Sequence, residues 1–259
     1  MNKKNKINKK SKLLKNMVWI YGKHAVKAAV HNKNREISRL VVLESSKDFI
    51  EHLDYKAKLL KPEIVDRNFL SAIFGKDATH QGCAVLAKNF EELSLEDILD
   101  NESDDRPIIF LDQITDPQNI GSILRASAVF GARAVVVTDT NSPELTPAIC
   151  KIASGALEVI PLIRVVNFVN SINLLKKNGF WIVGTSENSE KKLDEIDLSG
   201  KNAFIIGSEG EGIRRLTRDN CDFLVQLPSE GAFTTLNAAQ AATVSLYESL
   251  RQRKKRRPE

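Results

Sequence analysis

The sequence predicts a two-domain α/β protein whose larger, C-terminal domain is a mostly parallel sheet covered by helices on both faces. Three observations carry this. Apolar, β-branched runs alternate with stretches of helical spacing along most of the chain, the pattern of βαβ units. Residues 107–111, 134–138 and 204–207 are almost continuously apolar, as strands buried on both faces must be. An acidic stretch (Glu91, Glu92, Glu96, Asp97, Asp100, Glu102, Asp104, Asp105) divides the alternation into two regions. At 259 residues the chain is long enough for two cores of ordinary size.

Taken in order, residues 1–17 form a basic arm with seven lysines and no acid. Val18-Trp19-Ile20-Tyr21-Gly22 is a short apolar strand that stops at a glycine. Ala25, Ala28, Ala29 and Val30 mark a small-residue helix over 24–32. Residues 40–43 read as a strand, 49–60 as a helix, 64–65 as a strand and 68–74 as a helix. His80-Gln81-Gly82 then leads into a strand over 83–87. These make a small α/β domain, residues 18–88, followed by an acidic linker, 89–106, with one short helix near 95–99. The second domain spans 107–250. Its first strand, 107–111, runs into a polar turn in which Asp116 is a natural N-cap and Pro117 fits the first helical position. That helix ends near Gly131. Further strands read at 134–138, 159–162, 181–185, 204–207 and 223–227, with helices at 146–154, 166–178 and 213–220. An Ala-rich helix closes the domain, and residues 251–259 are a basic tail.

Composition narrows the class. Hydrophobic content of 42% and charged content of 27% are those of a soluble globular protein. No apolar run nears the roughly 18–20 residues of a membrane span, and the lysine-rich start has no secretory signal. Cys83, Cys150 and Cys221 are odd in number and lack CxxC spacing, which points to free thiols in a reducing, cytoplasmic setting and against structural zinc. Of the 38 basic residues, seven lie in 1–17 and six in 251–257, so the net charge of +5 sits in the two ends and the body is acidic. Such ends suit a polyanion, through counterion release, or serve only to solubilise.

Two stretches concentrate the candidate chemistry. Phe204-Ile205-Ile206-Gly207-Ser208-Glu209-Gly210-Glu211-Gly212 runs from a strand into a glycine turn, and Leu227-Pro228 leads through Gly231 to Thr235-Leu236-Asn237 and the Ala-rich helix. Together they describe a pocket built largely of backbone, where glycine permits close approach of a ligand. The glycine order is G-x-x-G-x-G and comes late in the domain, which speaks against a dinucleotide fingerprint. Glu209 is either a site carboxylate or a solvated one. Thr235 and Asn237 exceed what a single helix cap needs. Asn119 and Arg125, under two helical turns apart near a helix start, can both face the strand ends, where Arg125 can grip a phosphate or simply pair with a carboxylate.

At these residues the sequence resembles the SpoU class of RNA ribose 2′-O-methyltransferases, the TrmH and RlmB group. Asp116-Pro117-Gln118-Asn119-Ile120-Gly121-Ser122-Ile123-Leu124-Arg125-Ala126, then Ile206 to Ile213, then Leu227 to Asn237 with the helix ending Leu246-Tyr247-Glu248, match its three motifs in order. Ile20-Tyr21-Gly22-Lys23-His24-Ala25-Val26 and His80-Gln81-Gly82 resemble its ribosomal-protein-like (L30e/L7Ae-like) RNA-binding domain. The resemblance implies a trefoil-knotted (SPOUT) α/β domain, S-adenosylmethionine as cofactor, no metal, and a homodimer formed through knot helices. It implies RNA as the partner, with a 23S rRNA guanosine favoured over tRNA, and against a catalytically silent ribosome-assembly factor on the same fold. By position, Thr185, Ser186, Glu187, Gly207, Leu227 and Leu236 are expected to hold the cofactor. Asn119, Arg125, Glu209, Thr235 and Asn237 are expected to be catalytic. In that scheme Arg125 holds the target phosphate and helps activate the hydroxyl, or is itself the base, although a guanidinium pKa above 12 makes positioning the safer role. Asn119 and Asn237 orient the ribose and Glu209 holds Arg125. The third motif departs from the family, with Thr235 for Ser, Ala238-Ala239-Gln240 for Val-Ser-Val and Ser229 for Met.

Overall fold

The computed structural model describes residues 16–53, 59–140, 142–143, 145–232 and 235–256. Among them the chain divides into two compact units, one comprising Met1–Glu91 with Leu145–Glu158 and the other Glu92–Glu144 with Val159–Glu259. The basic arm at 1–15 and the last residues, 257–259, lie outside the described residues.

The first unit has a four-stranded sheet in the order β1-β4-β2-β3, where β1 is Met17–Tyr21, β2 Ile37–Leu43, β3 Glu63–Val65 and β4 Cys83–Lys88. β4 runs antiparallel to both β1 and β2, and β2 pairs parallel with β3. Helix α1 (Lys23–His31) buries Ala25, Val26, Ala29 and Val30 in a core with Ile20, Leu40, Val42 and Val85. Helix α2 (Arg67–Phe74) contributes Leu70 to a second cluster with Tyr21, Val41, Leu43 and Ala84, whose sequence alternation puts them on the opposite face. Asp66 caps α2 by accepting the Phe69 amide at 2.8 Å. The helix expected over 49–60 is different. Glu44–His52 is a 3₁₀ run that breaks at Leu53, which is extended at φ −94°, and residues 54–58 lie outside the described set.

Residues 145–158 join this unit, although their place in sequence predicts that they belong to the second domain. Helix α5 (Pro147–Ile152) places Cys150 in the α1 core. Gly155 (φ +94°) lies so close to Ala28 that a Cβ there would overlap it. Glu158 accepts from Asn32 Nδ2 at 2.9 Å and pairs with buried Arg35 at 3.4 Å.

The second unit begins within the acidic stretch. Helix α3 (Leu95–Leu99) carries a capping box between Ser94 and Asp97 and buries Leu95 and Leu99 in the core of the larger sheet. Buried Arg133 holds this stretch by donating to the carbonyls of Ile98, Asn101 and Asp104. The sheet is six-stranded, parallel throughout, in the order β10-β8-β9-β5-β6-β7. Its strands are β5 (Ile108–Asp112), β6 (Ala134–Thr138), β7 (Leu162–Val165), β8 (Trp181–Thr185), β9 (Asn202–Gly207) and β10 (Phe223–Val225). β7 starts later than expected because Pro161 has no N–H for the ladder, although its carbonyl accepts from Val135 at 3.0 Å. Helix α4 (Pro117–Phe130) is capped by Asp116, which accepts from the amides of Gln118 and Asn119, and it stops at left-handed Gly131. Helix α6 (Phe168–Lys177) covers one face with Phe168, Ile172 and Leu175. The helix expected at 213–220 is a single turn, α7 (Arg215–Arg218). The Ala-rich helix α8 (Ala238–Arg256) packs on α4 and continues through Arg251 to Arg256, so most of the basic run is helical.

Candidate active site

The parallel sheet reverses its strand order between β5 and β9. From β5 the chain proceeds outward through β6 and β7, while β9, β8 and β10 lie on the other side. The loops leaving the carboxyl ends of adjacent strands part company at such a point and open a crevice. Here they are the turn after β5, which leads into the first turn of α4 with Asn119, and the glycine loop after β9, carrying Glu209.

A cavity of about 410 Å³ lies at the carboxyl ends of β8, β9 and β10, a size suited to a small cofactor. Thr185, Ser186 and Glu187 line it from the end of β8, Gly207 from β9 and Leu227 from just beyond β10. Thr235, Leu236 and Asn237 close it in front of α8, and Glu209 faces it from the glycine loop. All six expected cofactor residues and three of the five expected catalytic ones therefore share one cavity. Asn119 joins them through Glu209, donating from Nδ2 to Oε1 at 3.1 Å.

The glycine loop is shaped by sterics and by two anchors. A Cβ on Gly207 would overlap the backbone of Gly212 and Ile213, so this position requires glycine. Gly210 and Gly212 adopt φ of +89° and +68°, and the Gly212 amide donates to the Ser208 carbonyl at 2.9 Å. One anchor is the Asn119–Glu209 bond. The other is Asp112, fully buried at the end of β5 beside Gly207 in the ladder. It accepts from Arg214 Nε at 2.6 Å and from the Arg214 amide at 3.0 Å. The Arg214 guanidinium also lies over the Phe168 ring, 5.7 Å from its centroid.

The neighbouring loops are tied to the same strand ends. The Ser186 amide donates to the Val225 carbonyl at 2.8 Å, and the Thr185 hydroxyl to the Ile205 carbonyl at 3.3 Å. Asn237 caps α8, its side-chain oxygen accepting the Gln240 amide at 2.8 Å while Gln240 Oε1 accepts the Asn237 amide at 3.4 Å. That cap occupies only the oxygen of the Asn237 amide. Thr234 lies outside the described residues.

One expected pairing is not formed. Glu209 is bonded to Asn119 and not to Arg125. Arg125 sits a little over two turns into α4, exposed, with no hydrogen bond or ion pair to any described residue. The physical reason is local. Asn119 stands at the third helical position, its backbone amide held by the Asp116 cap and its side-chain amide bonded to Glu209. The three cysteines are not nucleophile candidates: burial pushes each thiol up to about 12. Sequence reasoning also missed Asp112, Arg214, Asn188 and Arg218. The last two line the cavity. Asp112 could have been suspected as the one charged residue in an apolar strand, but its partner lies 102 positions away.

Residues 106–247 match the model of the SpoU rRNA Methylase family, and residues 19–93 match that for RNA 2′-O ribose methyltransferase substrate binding. The chain belongs to the SpoU rRNA methylase family. Among named relatives it is similar to the 23S rRNA (guanosine-2′-O-)-methyltransferase RlmB of Coxiella burnetii, 38% identical over 240 residues that cover 90% of this chain and 95% of that protein. The RlmB of Escherichia coli K12 is 34% identical, covering 90% of this chain and 98% of its own length. Among solved structures, the SpoU methyltransferase AviRb from Streptomyces viridochromogenes in complex with AdoMet superposes with a TM-score of 0.77 at 23% identity, over 98% of this chain and 94% of its own. An AdoMet-bound rRNA methyltransferase from Sinorhizobium meliloti gives 0.74 at 21% identity, over 94% of this chain and 90% of its own.

Proposed function

We propose that this protein transfers a methyl group from S-adenosylmethionine to the ribose 2′-OH of a guanosine in 23S rRNA. The observation that carries the reading is the meeting of Glu209, Thr235 and Asn237 with the six backbone-rich positions in one cavity, with Asn119 bonded to its rim. Near full-length similarity to two RlmB proteins supports the choice of RNA.

The cavity residues fit the cofactor. Gly207 leaves no side chain between ligand and loop, the loops after β8 and β10 offer backbone groups, and Leu227 and Leu236 supply apolar walls. When bound, S-adenosylmethionine would supply an electrophilic methyl on its sulfonium. The chain's own task is to bring a 2′-OH to that methyl and help it lose its proton. Arg125, with its guanidinium uncommitted among the described residues, holds the phosphate beside the target ribose by a bidentate contact. Its positive charge also stabilises the alkoxide character that develops as the hydroxyl attacks. Asn119, fixed by Glu209, and Asn237 orient the ribose, a contribution of alignment more than of bonding energy. Thr235 offers a hydroxyl at the same rim.

The protein works in the cytoplasm as a homodimer with a knotted C-terminal segment. Exposed Val129 on α4 and Val244 and Tyr247 on α8, two helices packed together, support an interface there. The first unit and the basic ends bind the RNA. The direct test is transfer of radiolabelled methyl from S-adenosylmethionine to unmodified 23S rRNA, with tRNA alongside. Label in a single rRNA guanosine is the expected result, and label only in tRNA would refute the choice of substrate.

A further inference from the structure

The cavity's charges are unequal. Three carboxylates line it (Glu187, Glu209 and Glu211), and Arg218 is the cationic side chain among its described lining residues. Arg218 ends the single turn α7, four positions after Arg214, the residue that precedes that turn. Arg214 is committed to Asp112. Arg218 is held by its backbone instead, its amide donating to the Arg214 carbonyl at 2.9 Å and its carbonyl accepting from Cys221 at 3.0 Å. No described carboxylate lies within ion-pairing distance of its guanidinium. An exposed arginine lining a ligand cavity offers a planar fork of donors to an oxyanion.

We propose that Arg218 binds the amino-acid carboxylate of the cofactor, an inference that rests on the S-adenosylmethionine reading above. The ligand carries two cationic centres, the sulfonium and the ammonium, and one anionic one. The wall carries the complement, several carboxylates and one guanidinium. An arginine at this position therefore gives the cavity a polarity that fixes which end of the ligand points toward α7. A phosphate of the RNA is the other oxyanion that could meet Arg218, and the experiment separates the two.

Isothermal titration of the full-length protein with S-adenosylmethionine and with its decarboxylated analogue isolates the contact, because the analogue lacks only the carboxylate. The wild-type protein should prefer S-adenosylmethionine by about tenfold, roughly one charge-assisted hydrogen bond. Arg218→Gln should bring that preference close to one, chiefly by weakening S-adenosylmethionine, and Arg218→Lys should keep most of it. Equal losses for both ligands in Arg218→Gln would overturn the assignment. So would unchanged cofactor binding with weaker RNA binding, which would give Arg218 to a phosphate. Failure of the wild-type protein to bind either ligand would instead overturn the cofactor reading itself.

Discussion

Arg214 is half exposed and Asp112 is fully buried, yet truncating Arg214 should do the greater damage. Arg214→Ala leaves the Asp112 carboxylate inside the sheet with one partner among the described residues, the backbone amide of residue 214 at 3.0 Å. Breaking a buried ion pair this way costs roughly 3–5 kcal/mol when both partners are enclosed. Because the Arg214 side chain is 45% exposed, water can reach part of the site, and a discounted cost of about 2–3 kcal/mol is expected. Asp112→Ala returns the guanidinium to water at little cost and leaves one amide short of a partner, about 1–2 kcal/mol. Both losses fall on the end of the glycine loop, so they should appear as faster amide hydrogen exchange over residues 207–214, larger in Arg214→Ala. Exchange in the first unit should be unchanged. Cofactor affinity should weaken in the same order. If Asp112→Ala opened the loop as much as Arg214→Ala or more, the idea that a stranded buried charge dominates would be wrong.

Other consequences can be checked with single variants. Gly207→Ala places a methyl against the Gly212 and Ile213 backbone and should abolish cofactor binding by calorimetry, while circular dichroism stays near native. Asn119→Ala and Glu209→Ala should each slow methyl transfer at least tenfold, and the double variant should be little worse than either, since the same hydrogen bond is missing in all three. Additive losses would show that the two act separately. Glu248 accepts from Arg251 and Gln252, and the Arg251 hydrogen bond holds its carboxyl below the usual 4.5. That stabilisation is present above 4.5 and is lost as pH falls through the lowered value, so Glu248→Gln should flatten the acid limb of a thermal-shift profile. An unaltered profile would dismiss the contribution. Removing residues 1–16 should weaken RNA binding and reduce its salt slope by about 0.7–0.9 for each phosphate that the arm neutralises, leaving cofactor affinity alone.

The strand-to-glycine turn at Ile206-Gly207 and the Asp116-Pro117 helix start are legible in the sequence because each rests on neighbours along the chain. Their placement at the carboxyl ends of adjacent strands, β9 and β5, is not, since strand order is a property of the whole chain. The segment 145–158 shows the same limit: its short helix follows from local pattern, but its attachment to α1 depends on Gly155 meeting Ala28 across 127 positions. Glu209 stands out as a carboxylate among small residues, and the family resemblance pairs it with Arg125. In the structure Glu209 bonds Asn119, a partner 90 positions away that local pattern does not reveal. α8 outruns its expected end because Arg251 and Gln252 both bond to Glu248 and carry the helix onward, with Gln252 also donating to the Ile196 carbonyl at 3.1 Å.

Arg125 acting on a ribosomal RNA ribose is the central step of the proposed reaction. Ribose methylation across 23S rRNA should therefore be mapped in a strain lacking the gene, and again after complementation with wild-type or Arg125→Ala protein. One guanosine should lose its 2′-O-methyl on deletion, regain it with the wild type and stay bare with Arg125→Ala. An rRNA pattern unchanged by deletion, or fully restored by Arg125→Ala, would contradict that role.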